Sequence, residues 1–409
     1  MVLFLYIKGS TMNLSIKSRI FYIIIIYYWF LMYLQKPDTA LYDSLYLVTV
    51  LPIIIFIILS FLTTKFDFKI DKPLIWILFF AIFSTLYAMI RFDLIAIASV
   101  LLFSSTIFIL YYNRLSIYTS FLNKLFIISV ILSIPLYYSG YSEYGFIPGQ
   151  SSVSSTELLA GRISLFPNVT YSMYFSFMVF LYNIFLNTSK NKYVYIFLSL
   201  YFIIFGISRT LTMTLIFITV LLMIHKFVSI HHNRWLYICV YPLLFIALPF
   251  VMILNIESIF NFILTLDIQW INQYVFRGHT NTSDILTDMM RLNAWSEHIR
   301  IFFENIGGVS QVTLKNLINK EVLFASDTVA FLTRQFALYG LAAIFFVFFL
   351  ASIFIKSIEE KNIGLYIVIF IFLFLSLLYG PFFSAYNIIF LLFISLINKL
   401  RESKYAKNC

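Results

Sequence analysis

Residues 73–112 read PLIWILFFAIFSTLYAMI, then RFD, then LIAIASVLLFSSTIFILYY. The second run, 94–112, is uncharged from end to end, and a helix of that length spans the ~30 Å of a bilayer's hydrocarbon. Runs of this kind recur along the whole chain, near 20–34, 45–62, 73–90, 94–112, 122–138, 169–186, 193–207, 210–225, 235–254, 336–355, 363–378 and 382–397. That makes twelve spans. Backbone polar groups inside lipid have no water to bond, so each span is expected to be helical. The runs are too long and too unalternating for barrel strands. The fold class expected is therefore all-α: one polytopic transmembrane domain over residues 1–409, with two large outer loops, 139–168 and 255–333.

Composition agrees. Of the 409 residues 62% are hydrophobic and 11% charged, against about 25% charged in a soluble domain, which excludes a soluble globular protein. The abundant Phe and Tyr fit interfacial belts without naming a function. The two cysteines, Cys239 in an apolar run and Cys409 at the terminus, form neither a CxxC metal site nor a plausible disulfide. The first dozen residues are too short and polar for a cleaved signal peptide, and Met12 is a second candidate start.

Lys and Arg orient the spans. With the N-terminus inside, 18 of the 28 bases fall on the inner side with 5 acids, and 10 bases with 13 acids on the outer side. Both termini are expected to be cytoplasmic. The net charge of +10 then reflects topology and gives no reason to invoke nucleic acid. The long run from Asn191 to Ile224 satisfies its flanking bases only as two crossings with a turn at Ser208-Arg209.

The two cations divide unevenly. The inner side holds 14 Lys and 4 Arg, whereas the outer side holds Arg91, Arg162, Arg209, Arg277, Arg291, Arg300 and Arg334 against three Lys. Guanidinium is a rigid fork that binds phosphate oxygens in pairs and sheds water more readily than ammonium. A phosphate-bearing lipid is the natural anion at that face; pairing with outer acids or reaching to headgroups is the alternative. Arg209 sits between two apolar runs with almost no loop to solvate it, which makes it a functional candidate.

Gly161-Arg162 leads into Phe166-Pro167-Asn168, where Pro suits a first helical turn and Asn a cap. In the late loop, Ser283 is expected to cap a helix reaching about Asn305. At ~100° per residue Asp284, Asp288, Arg291 and His298 share one face, and Ile285, Met289, Leu292, Ile299 and Phe303 another. His298 and His279 are the outer imidazoles, either able to take a proton near neutral pH in an ordinary setting. Neither has metal-ligand spacing, so no metal and no cofactor is expected. Ser326-Asp327-Thr328 precedes the tenth span, whose first turns carry Arg334 ahead of Gly340; Asp327 reads as a helix cap or a catalytic carboxylate.

In this order Phe166-Pro167-Asn168, Ser208-Arg209-Thr210, Arg291 with Trp295 ahead of Gly307-Gly308, and Ser326-Asp327 before Gly340 resemble the bacterial O-antigen polymerase and ligase superfamily of polytopic glycosyltransferases. The likeness covers roughly residues 160–345. It implies an inner-membrane enzyme of lipopolysaccharide biosynthesis that acts at the periplasmic face on undecaprenyl-pyrophosphate-linked oligosaccharide, without metal and with inversion. Lipid-linked repeat units and the bilayer are the implied partners, with a chain-length regulator and a flippase beside them. Arg209, Arg291, Asp327 and His298 take the catalytic positions and Arg162, Asn168, Arg277 and Arg334 the substrate-binding ones. Asp327, His298 and Glu157 all stay open as the base, and Tyr141, Tyr144 and Trp270 as sugar-stacking rings. The ligases place a histidine just before the tenth-type span, where this chain has Ser326-Asp327, so polymerase is favoured over ligase. A flippase or other transporter is the rival class; it is expected to bury ion pathways within its spans, whereas here charges are nearly absent from the helix middles and gather in the outer loops.

Overall fold

The computed structural model describes residues 15–34, 46–64, 71–148, 162–206, most of 211–223, 265, 295–318, 331–360, 362–378 and 384–402. Among the described residues all regular structure is helical. The elements are α1 (Ile16–Leu34), α2 (Tyr46–Thr63), α3 (Lys72–Ile90), α4 (Leu94–Tyr112), α5 (Thr119–Tyr138), α6 (Val169–Phe185), α7 (Lys192–Phe205), α8 (Gln311–Leu317), α9 (Phe331–Tyr339), α10 (Ala343–Glu359), α11 (Ile363–Leu378) and α12 (Ile388–Glu402). The described residues of 211–223, and residues 295–304, are also helical.

Five of these are long and apolar enough to cross a membrane: α1, α3, α4, α5 and the continuous stretch Phe331–Glu359, in which a 3-10 turn at Gly340–Ala342 joins α9 to α10. The apolar helices at Val48–Thr63, Val169–Phe185, Lys192–Phe205 and Ile363–Ser376 are shorter. At 1.5 Å per residue the 17 residues of α6 cover roughly 26 Å, less than the hydrocarbon thickness. Fourteen of them are buried, so α6 is matched to its protein neighbours rather than to lipid. The expected span 235–254 lies outside the described residues.

Sequence explains the boundaries. Asn168 caps α6 by accepting from the Thr170 amide at 3.0 Å, and Asp93 caps α4 by accepting from Ala96 at 3.0 Å. Pro73 occupies the first turn of α3, where no backbone donor is missed.

The core runs through α6, α11 and α12, whose side chains are buried nearly all round, and through the second half of α4. Lipid supplies no hydrophobic drive between helices, so polar pairs and close packing hold them. Asn123 and Asn183 exchange amide hydrogen bonds at 3.0 and 2.7 Å. Tyr182 donates to Ser395 at 2.8 Å, and Ser395 accepts from the Ile117 amide at 2.9 Å. Asn398 donates to the carbonyls of Leu110 and Leu115, at 2.8 and 2.9 Å, across the α4–α5 turn.

The helices alternate between two ends. At one end Lys17 donates to Asn113 at 2.9 Å, Arg401 pairs with Asp71 at 3.0 Å, and Asn362 donates to Leu400 at 2.8 Å. At the other, Tyr141 donates to the Tyr33 carbonyl at 3.0 Å and the α3–α4 turn meets residues 307–311. These contacts sort the described turns between the two ends of the bundle.

Candidate functional site

The site grows from the Arg91-Phe92-Asp93 turn. Phe92 takes φ +54°, a left-handed conformation uncommon for a bulky residue, and this reverses the chain in three residues. Asp93 then does two jobs: one carboxylate oxygen caps α4 and the other accepts from the Gln311 amide at 3.3 Å. Arg91 reaches back, its Nη1 donating to the Gly307 carbonyl at 3.3 Å. Its Nε and Nη2 are buried and take no hydrogen-bond partner. Burial lowers the Arg91 pKa while Asp93 opposes the shift; from so high a starting value the group stays a cation.

A pair of glycine turns seats the late segment on this corner. Val309 donates to the Ala337 carbonyl at 2.9 Å, and Leu341 donates to Ile306 at 3.0 Å, so the two strands of backbone lock in both directions. Gly308 and Gly340 hold φ of +78° and +57°. A Cβ on Gly308 would stand 2.7 Å from the Gly340 nitrogen, and one on Gly340 would overlap the Ile306 carbonyl oxygen. Only glycine satisfies both the backbone sign and the approach.

The lock sets the stretch 295–304 against α9. His298 is fully buried, its Nδ1 lying 3.1 Å from Thr333 Oγ1, with Nε2 buried and unpaired. Burial, reinforced by the Arg334 cation and opposed by Glu297, pulls the imidazole down to about 4. It is neutral at pH 7 and a weak base there. Arg334 also acts on Tyr339, as do Arg91 and Asp93. Arg91, Asp93, His298, Arg334 and Tyr339 thus form one group at the end of the bundle.

The faces of 295–304 are mixed. His298 and Ile301 point inward, whereas Ile299 and Phe303 are exposed. Arg300 lies outside the group: it bonds Glu297 and Glu304 at 2.8 Å each, an exposed set worth little to stability.

Of the residues singled out in the sequence, His298 and Arg334 come together here. Arg162 and Asn168 belong to the head of α6, where Ile163 donates to the Phe205 carbonyl at 3.2 Å and Leu165 to Ser172 at 2.8 Å, drawing 163–166 into the core. The Asn168 side-chain oxygen is taken by its cap. Arg209, Arg277, Arg291, Asp327, His279, Glu157 and Trp270 lie outside the described residues. Asp93, Thr333 and Tyr339 were not legible as site residues, and Arg91 only as one outer arginine among seven. No local pattern ties Arg91 to a glycine 216 positions away.

Two guanidinium groups, a neutral imidazole and a phenol at the end of an apolar bundle suit an anion carried on a lipid, through charge-assisted bonds that burial strengthens. Among the described residues no three His, Cys, Asp or Glu side chains gather closely enough to hold a metal ion. No family model, curated protein or solved structure matches this chain.

Proposed function

We propose that the chain is an O-antigen polymerase: an inner-membrane, metal-independent inverting glycosyltransferase that moves the growing polysaccharide from its undecaprenyl pyrophosphate to a hydroxyl of the next lipid-linked repeat unit, at the periplasmic face. The observation that carries this reading is that Arg334 acts on buried His298 and, together with Arg91, on Tyr339, beside the Gly308–Gly340 lock. Twelve crossings with both termini in the cytoplasm put that end outside, where lipid-linked sugars are polymerised. The leaving pyrophosphate is anionic, so the reaction's chief need is oriented cations, and preorganised donors supply it without reorganisation. His298, neutral and hydrogen-bonded, orients its neighbours better than it takes a proton. The base then falls to a carboxylate, with Asp327 and Glu157 as the candidates.

Ligation to lipid A core is the second reading. Its support is that His298 reaches Thr333 at the start of the Phe331–Glu359 stretch, where the resemblance implies a histidine in ligases.

One gel separates them. A deletion strain complemented with wild type, Arg91→Gln, Arg334→Gln or Arg209→Ala is examined for surface lipopolysaccharide, with membrane insertion checked by immunoblot. Polymerase variants are expected to show core plus a single repeat unit. Loss of every repeat unit supports ligation or export, and a full ladder from all three variants overturns the assignment of the arginines.

A further inference from the structure

At the opposite end of the bundle, α12 closes with Arg401, an arginine with only 6% of its side-chain surface exposed. Its Nη2 bonds Asp71 Oδ2 at 3.0 Å, and its guanidinium lies 3.6 Å from the centroid of the Tyr111 ring, a face-on cation–π contact. The pairing is incomplete. Nε and Nη1 are buried with no partner, as is the Tyr111 hydroxyl beside them. Leaving donors of a buried cation unmade is costly, and such groups are rare without a ligand or water to take them. Asp71 stands at the cap position of α3 yet makes no cap bond, because its carboxylate is turned to Arg401. Glu360 and Arg114 also act electrostatically on Tyr111, so the surroundings carry both signs.

A second feature begins at the same place. From Asp71 the helical stripe continues through Ile75, Phe79, Ile82 and Leu86, all exposed and spaced by four, four, three and four residues along one face. The neighbouring helix α10 adds exposed Ile344, Phe348 and Ile355. Between the two helices Phe345 packs on Trp76, Phe79 and Phe83 with ring centroids 5.2–6.1 Å apart. The result is a firm, aromatic-backed apolar track running from a charged end toward the far side of the bundle.

We propose that Arg401, with Tyr111, is the headgroup site for one anionic phospholipid, whose phosphodiester takes the free guanidinium and phenol donors and whose acyl chain lies along the Ile75–Phe79–Ile82 stripe. A buried, incompletely paired cation between spanning helices, beside an apolar track, suits an acidic lipid headgroup. Asp71 competes for the same cation, holding it in place when the lipid is absent. This site is independent of the reaction at the other end.

The test is native mass spectrometry of the full chain released from neutral detergent, titrated with phosphatidylglycerol, phosphatidylcholine or inorganic phosphate. One phosphatidylglycerol is expected to bind at least tenfold more tightly than phosphatidylcholine, with inorganic phosphate giving no adduct. Arg401→Gln should erase the preference. Asp71→Asn leaves the guanidinium in place and removes its competitor, so it should raise phosphatidylglycerol affinity severalfold, and it carries the test if Arg401→Gln does not accumulate. Equal binding of the two lipids, or weaker phosphatidylglycerol binding by Asp71→Asn, overturns the proposal; an inorganic phosphate adduct at the same arginine overturns the lipid as its source.

Discussion

At the residue scale the informative side chains are those whose environment reverses their usual behaviour. His298 is the clearest case. In the unfolded chain an imidazole titrates near 6.5, and in the fold its burial beside Arg334 pulls that to about 4. Between those values the unfolded chain holds more protons than the folded one, so stability rises with pH. The stabilisation is complete above about pH 6.5 and drains away as pH falls toward 4, to a limit of about 3 kcal/mol. Denaturant unfolding of purified protein at pH 7.5 and 4.5 should therefore show a loss that His298→Gln, a neutral replacement, largely removes. Gly340 is the other. Its positive φ and its contact with the Ile306 carbonyl mean that Gly340→Ala should cost about 2 kcal/mol or more. A lowered melting temperature together with loss of polymer on the gel is the expected pair of results.

At the element scale, hydropathy made most helices legible and almost none of their contacts. The run 94–112 is α4 to the residue, and 169–186 is α6 to within one, because apolar run length is a local property that lipid thickness enforces. Asn168 was legible as a cap for the same reason: Pro167-Asn168 ahead of an apolar run is a local instruction. The tenth span is already helical at Phe331, five residues before 336, since the polar Thr333, Arg334 and Gln335 interrupt hydropathy but not the helix. What stayed invisible is long-range. Asn398, one residue past the apolar run 382–397, gave no signal, yet it joins α12 to both sides of the α4–α5 turn. Asn398→Leu keeps the approximate size and strands the Leu115 carbonyl, while Leu110 retains its bond from the Leu115 amide, so it should destabilise by about 1–3 kcal/mol. Asn398→Gln is expected to recover part of that if its longer amide reaches either carbonyl. Unfolding midpoints of the three proteins in one detergent give the comparison.

For the whole molecule the deciding question is which end faces which compartment. Among the described residues the Lys17 end holds ten bases and four acids, and the Arg91 end five bases and four acids, so the excess that orients spans toward the cytoplasm sits at the Lys17 end. The contacts between helices know nothing of a membrane, yet they sort the turns into the same two sets. Phe92, the most exposed large apolar side chain among the described residues, and Lys190, in the exposed α6–α7 turn, are on opposite sides by this sorting. With Cys239 and Cys409 replaced by Ser, Phe92→Cys in intact spheroplasts should react with a membrane-impermeant maleimide. Lys190→Cys should react only after permeabilisation. The opposite pattern would turn Arg91, His298 and Arg334 toward the cytoplasm, where a periplasmic polymerisation cannot occur, and would overturn the proposed function while leaving the helix packing as it stands.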